Sequence, residues 1–376
     1  MNAELEKIFK LRLDKFRDLL AQKNLDAFVL FVFEGFNTEN CHYISGFRGS
    51  SAAIIINSNE AVLVTDGRYL TQVKEQALSE YKIIVQSELP LAKFVINYLR
   101  DLNLKNIGYE AEKISHKLFE SAFNNNNFNW VDAGDLILNL RRSKDIYEIN
   151  AIKKAARIGR EAYGKVLNSI KLNIFEISES EFDVRLFSEI KRMGAERGWA
   201  GHDFIVASGL NSAKCHARST QKKFESGDIV TVDYGAMING YMSDITRNFS
   251  VKKFKDNQVS EINNILLKAH KAAAEALRPG ISGKDVDTIA RKIIEDAGYG
   301  KYFMHGLGHG LGLEIHEAPR LSQSSSDILQ AGDVVTIEPG IYIEGWGGMR
   351  IEDDYLITES GSECLTINDN QAINII

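Results

Sequence analysis

The sequence predicts an α+β fold over residues 135–376, preceded by an α/β domain over residues 1–134. Three observations carry the prediction. Strand-like and helix-like patterns alternate through the first part, the mark of an α/β layout. Near the C-terminus, Gly-Asp-Val-Val-Thr-Ile-Glu at 332–338 echoes Gly-Asp-Ile-Val-Thr-Val-Asp at 227–233, with four of seven positions identical. Each copy opens a hairpin pattern, and helical segments lie before and between the copies, so helices cover one side of an antiparallel sheet.

In chain order, residues 4–22 carry Ile8, Leu11, Leu13, Phe16, Leu19 and Leu20 at helical spacing. The apolar run 27–33 reads as a buried strand. Strands follow at 50–56 and 61–65, a helix to Ala77 entered through Asp66-Gly67-Arg68, a strand at 83–86 and a helix at 91–102. The polar run 124–127 reads as a surface loop, and 131–134 as the boundary between domains. Beyond it, helices are expected at 145–167, 180–192, 259–277 and 282–297, with a strand at 204–208. The first hairpin pairs 229–236 with 241–251 about Asn239-Gly240, a dipeptide suited to tight hairpin turns. The second pairs 333–343 with 349–357 about residues 345–348.

Composition narrows the function. The 376 residues are 44% hydrophobic and 26% charged, enough apolar chain for large cores. A net charge of −6 with no Lys/Arg block argues against a nucleic-acid surface. No apolar run approaches the ~18 residues of a membrane span, and no signal-like segment opens the chain. Cys41, Cys215 and Cys364 are far apart and form no CxxC, which suits a reducing compartment. A cytoplasmic protein with neither nucleic-acid nor membrane partners is the expectation.

The hairpins point to chemistry. Gly345 is the midpoint between Glu338 and Glu352, so an antiparallel fold about it brings the two together. Asp233 and Asp244 flank the first turn nearly symmetrically and are expected to face each other to within about one residue of register. Four acids inside an apolar core repel one another and resist burial unless cations neutralise them. Two divalent ions cancel four carboxylates. Between the copies, residues 305–316 hold three of the eight histidines, with glycine at every second position from 306 to 312. That glycine spacing disfavours a helix and fits neither GxGxxG nor HExxH. A lone histidine is more often structural. In this company at least one of His305, His309 and His316 is expected to bind metal. Carboxylates bridging two ions would bring the ions to the ~3.5–4 Å of two-metal hydrolases, with a hydroxide between them as nucleophile. Oxygen-rich ligation with one nitrogen suits Mn, Co or Fe at least as well as Zn.

At this point the chain resembles the pita-bread metallopeptidases, the group of aminopeptidase P, prolidase, creatinase and methionine aminopeptidase. The matching pieces are Val-Asp-Tyr-Gly at 232–235, Ser-Asp-Ile-Thr-Arg at 243–247, the histidine-glycine stretch 305–317, Glu-Pro-Gly-Ile-Tyr at 338–342 and Arg-Ile-Glu-Asp-Asp at 350–354. The resemblance implies that Asp233, Asp244, His309, Glu338 and Glu352 are the metal ligands, and it selects His309. It implies substrate-side roles for His216 and His316 and a proton-shuttle role for Glu338. It also implies a site-organising role for Tyr342 and Arg350, and a place behind the metals for His305. The segment before His216 reads Lys214-Cys215, a departure from the Leu-Pro of many relatives. Tyr-Ile-Ser-Gly-Phe at 43–47 and Thr-Asp-Gly-Arg-Tyr at 65–69 are similar to the amino-terminal domain shared by aminopeptidase P, prolidase and creatinase. The implied protein is a homodimeric, manganese-type Xaa-Pro aminopeptidase acting on short proline peptides. A prolidase, which cleaves Xaa-Pro dipeptides, is the alternative. A non-catalytic module or a metal-free creatinase-type hydrolase is disfavoured because all five ligand positions are filled.

Overall fold

The computed structural model describes residues 3–124, 127–366 and 373–376. Two residues of the polar run read as a surface loop, Asn125 and Asn126, lie outside the described residues. The chain forms two compact units, Met1–Arg141 and Arg142–Ile376. The first runs past the boundary expected at 134 because Gly134–Arg142 is one helix, with Leu136 and Ile137 buried.

In the first unit a mixed sheet runs in the order Tyr81–Val85, Ala61–Thr65, Ala52–Asn57, Ala27–Val32, Asn106–Tyr109, Asn129–Asp132. All six residues of Ala27–Val32 are buried, as expected for an apolar run covered on both faces. It pairs antiparallel with Ala52–Asn57 and parallel with Asn106–Tyr109. Phe16 of the helix Ala3–Gln22 meets Phe28 edge-on at 4.9 Å. Sequence periodicity does not reveal the helix Thr38–Ser45, whose residues 40–45 are all buried and so show no polar face. Nor does it reveal the strands Asn106–Tyr109 and Asn129–Asp132, four residues each and too short for a period to register.

The second unit carries the helices Ile146–Ser169, Glu179–Arg192, Asn257–Ala276 and Gly283–Asp296. Their starts follow helix-capping chemistry. Asp145 and Glu148 form a reciprocal capping box, while Ser178, Asp256 and Ser282 accept backbone N–H groups. One sheet contains Ile205–Ser208, Ile229–Tyr234 and Ile245–Ser250. Another runs Glu317–Leu321, Gly308–Gly310, Val334–Ile337, Asp353–Ile357, Ser362–Cys364. The last two long helices pack their apolar faces, including Leu266, Val286 and Ile294, into a core with Val335, Ile337 and Met349.

The sequence echo is a structural echo. Gly227 and Gly332 both take positive φ, 93° and 91°. Gly227 N–H donates to the carbonyl of Val251 at 2.8 Å, and Gly332 N–H to that of Ile357 at 2.9 Å. The carboxylates of Asp228 and Asp333 each accept the N–H three residues earlier, from Glu225 and Gln330, at 2.9 Å. These matched contacts fix both hairpins in the same way.

Both hairpins are interrupted where continuous strands are expected. In the second, Val334–Ile337 pairs with Asp353–Ile357, and Gly340–Ile343 with Gly347–Arg350. One register runs through both ladders: Val334 faces Leu356 and Gly340 faces Arg350. Glu338 and Glu352 therefore fall opposite each other at the gap. In the first hairpin, Asn239 and Gly240 supply the two positive φ values of the turn, 52° and 85°. There Asp233 faces Thr246. The expectation that Asp233 and Asp244 oppose each other to within one residue therefore fails. The register is set by Ile238–Tyr241, which leaves Asp244 in the gap between two ladders.

Candidate metal centre

The gaps in the two hairpins leave Asp244, Glu338 and Glu352 outside the regular ladders, and their backbone N–H groups are held instead by Asp354 Oδ2 and the carbonyls of Leu307 and Thr246. Ligand atoms of Asp244, His309 and Glu352 all lie within 4.8 Å of one another, and all three residues are buried. His309 comes from the short strand Gly308–Gly310, wedged between Glu317–Leu321 and Val334–Ile337. A Cβ on Gly308 would run into the carbonyl of Thr336, so this close approach needs glycine. Thr336 Oγ1 accepts the N–H of His309 at 3.1 Å. The His309 ring places Nδ1 3.0 Å from the carbonyl of Gly310, which assigns the ring proton to Nδ1. That leaves Nε2 as the lone-pair nitrogen, 3.3 Å from Glu338 Oε1 and 3.8 Å from Asp244 Oδ2.

Asp233 flanks the trio. Arg350 Nη2 pairs with its Oδ2, while its Oδ1 is buried without a hydrogen-bond partner among the described residues. Asp244 Oδ1 is likewise unpartnered. Arg350 is itself held by Tyr342 OH at 2.7 Å, Thr246 Oγ1 at 3.0 Å and the carbonyl of Cys215 at 3.3 Å. Of the acidic run 352–354, only Glu352 reaches the trio. Asp353 pairs with Arg247 at 2.6 Å, and Asp354 accepts the backbone N–H of Asp244 at 3.0 Å.

The electrostatics are those of an anionic pit. Burial, and then the charge of Glu352, holds Asp244 well above the carboxylate range; burial and Glu338 do the same to Glu352. Burial pushes Glu338 up to about 8, against the pull of the Arg350 guanidinium. Burial, with His316 and Arg320 nearby, pushes His309 down to about 3, so its ring is neutral and its lone pair available at neutral pH. Two orphaned carboxylate oxygens, a free imidazole nitrogen and acids that resist ionisation together fit divalent cations.

A cavity of about 790 Å³ opens onto this cluster, with His216, His305 and His316 in its wall. The His316 ring lies 4.4 Å from that of His309. His305 lines the cavity, with Nδ1 2.7 Å from the carbonyl of Gly306 and its ring 5.6 Å from Tyr342. The preceding Phe303 and the Arg291 contact to the His305 carbonyl turn it toward the cavity. Tyr342 is buried and reaches the acids through Arg350.

Sequence reading missed Thr246, Asp354, Arg320 and His202. Thr246 Oγ1 donates to Glu352 Oε2 at 2.6 Å. Arg320 faces His309 across the ladder and lines the cavity. The His202 ring packs on His316 at 5.7 Å. Only Thr246 carried a signal, because it opposes Asp233 in the register of the first hairpin.

The family described as metallopeptidase family M24 matches residues 150–359. The creatinase/prolidase N-terminal domain matches residues 12–143. A Xaa-Pro dipeptidase of Pyrococcus furiosus is 37% identical, over 97% of this chain and 100% of its own. A Xaa-Pro dipeptidase structure from Bacillus anthracis superposes with a TM-score of 0.90 at 33% identity, covering 98% and 100% of the two chains. An X-Pro aminopeptidase structure from Thermotoga maritima superposes with a TM-score of 0.86 at 34% identity, covering 94% and 98%.

Proposed function

This chain belongs to metallopeptidase family M24, and from that premise we propose that it hydrolyses the Xaa–Pro bond of short peptides. In this reading Asp233, Asp244, His309, Glu338 and Glu352 hold two divalent ions. The observation that carries it is the convergence of Asp244, His309 and Glu352 within 4.8 Å, beside orphaned oxygens of Asp233 and Asp244. The oxygen-rich donor set favours manganese. Bound there, the ions would supply Lewis acidity and lower the pKa of water.

The chain's own groups supply the rest. The Glu338 carboxylate can take a proton at Oε from the attacking water and return it to the proline nitrogen as the bond breaks. His216 and His316, in the cavity wall, can donate to the substrate carbonyl oxygen. Arg350 keeps one oxygen of Asp233 engaged and so orients the other. Burial of the pit excludes bulk water.

The sequence reading puts the aminopeptidase first and the dipeptidase second. Arg320 favours the dipeptidase. Facing His309 across the ladder, it offers a guanidinium to the free carboxylate of a dipeptide, a bidentate pairing. Three unpaired cysteines support a reducing, cytoplasmic setting, and among the described residues no helix is long and apolar enough to cross a membrane. The homodimer rests on the family likeness.

The test is chelation and add-back of Mn, Co, Zn or Fe, assayed on Xaa-Pro, Xaa-Pro-Yaa and Xaa-Ala peptides. Activity that is lost with the metal, restored by it and confined to proline peptides is expected. Full activity in the metal-free protein, or equal turnover of Xaa-Ala, would overturn the proposal.

A further inference from the structure

We propose that Glu179 is a positioning residue for the reaction: its carboxylate clamps both stems of the loop that presents His216 to the cavity. This rests on the peptidase reading above. Glu179 opens the helix Glu179–Arg192 and has no exposed surface. Its Oε1 accepts the N–H of Ser208 at 2.6 Å and the hydroxyl of Ser208 at 2.8 Å. Its Oε2 accepts Asn211 Nδ2 at 2.9 Å, the N–H of Thr220 at 2.9 Å and the hydroxyl of Thr220 at 2.6 Å. Five donors thus converge on one buried carboxylate, and they come from the two ends of a single excursion of the chain.

Between those ends lie Cys215, His216, Ala217, Arg218 and Ser219, all in the cavity wall. Lys214, His216 and Arg218 are exposed, while Ala217 is buried and the Cys215 carbonyl accepts Arg350 Nη1 at 3.3 Å. The stems carry the larger share of the hydrogen bonds. Besides the carboxylate, Ser180 N–H and Oγ both reach the carbonyl of Thr220 at 2.9 Å, and Glu179 N–H reaches that of Lys222 at 3.0 Å. Only an ionised carboxylate accepts on both sides at once. A glutamine would turn a donor toward one stem and release it, and an aspartate is a methylene too short to span both. Either change would shift His216 without touching substrate, and misplacing such a group slows the chemical step more than it weakens binding.

The experiment uses the full-length, metal-loaded protein. In E179Q, amide exchange across 208–220 is expected to accelerate while the strands Ile229–Tyr234 and Ile245–Ser250 stay protected. For Xaa-Pro hydrolysis, kcat should fall about tenfold or more with KM changed less than about threefold. Introduced into an H216A background, E179Q should cost less than about twofold, because its effect passes through the histidine. Unchanged exchange in the loop, or losses that simply multiply, would overturn the clamp. A wild-type protein without peptidase activity would overturn the functional reading instead, and the exchange result would still decide the clamp. If E179Q does not fold, T220V, which removes one donor and leaves the carboxylate in place, should show the same pattern at smaller size. The same two outcomes would overturn the clamp in that variant.

Discussion

Thr246 and Glu352 join the two hairpins at the acidic pit. The threonine hydroxyl donates to Glu352 Oε2 at 2.6 Å, and the backbone N–H of Glu352 reaches the carbonyl of Thr246 at 3.3 Å. The same hydroxyl oxygen accepts Arg350 Nε at 3.0 Å. One small side chain therefore orients both an acid of the trio and the guanidinium that engages Asp233. T246V keeps the shape and removes both contacts. Divalent-ion affinity should fall about 10–100-fold, as for other outer-shell partners. Competition with a calibrated chelator measures this, and an unchanged affinity would show that Thr246 matters only for packing.

Removing a charge from the pit should reverse sign with metal. Burial and Glu352 hold the Asp244 carboxyl well above its ordinary 3.8. The folded, metal-free chain therefore keeps a proton that the unfolded chain gives up, and its stability falls as pH rises past that value. D244N should raise metal-free stability at pH 7. It should also lose the about 2.7 kcal/mol that an ion at a hundred times its Kd confers on wild type. Urea unfolding with and without added Mn reads both effects.

A buried histidine elsewhere sets an acid limit. His270 packs 5.9 Å from Tyr355, with Nε2 3.4 Å from Asp353 Oδ2, and burial lowers it from 6.5 to about 4 although Asp353 opposes this. The unfolded chain binds the proton first, so stability is full above pH 6.5 and is lost as pH falls toward 4. Between pH 7 and 5 this residue alone should cost about 2 kcal/mol. H270N should flatten that part of the stability profile, and a profile of unchanged slope would remove His270 from the explanation.

Gly308 makes a steric prediction. G308A would press a methyl group against the carbonyl of Thr336 beside His309. We expect a loss of about 1–3 kcal/mol of stability, together with weaker metal binding. The equivalent change at Gly67, where a Cβ would meet nothing within 4 Å, serves as the control. Equal behaviour of the two variants would contradict the close approach.

Arg320 should separate substrates. R320M is expected to raise KM for Xaa-Pro dipeptides about tenfold or more, with kcat little changed, by removing a carboxylate partner. Tripeptides, whose carboxylate lies one residue further on, should be affected less. An equal effect on both would assign Arg320 to the histidines beside it rather than to substrate.

The sequence by itself determined the α/β and α+β order, the duplication and the opposition of Glu338 and Glu352. Each depends on local rules: period, turn chemistry and a hairpin register that a single midpoint fixes. Asp233 and Asp244 mark the edge of that reach: the turn at Asn239-Gly240 carries one register through both ladders and sets Asp233 opposite Thr246, not Asp244. Periodicity and spacing left three neighbouring histidines open and the family resemblance pointed to His309; the tertiary structure brings His309 to the acids through a glycine approach to Thr336. Only it revealed that Thr246 serves Glu352 and that Glu179 serves both stems of the His216 loop. Such partners lie far apart in the chain, and no periodicity encodes a hydrogen bond between residues that folding alone makes neighbours.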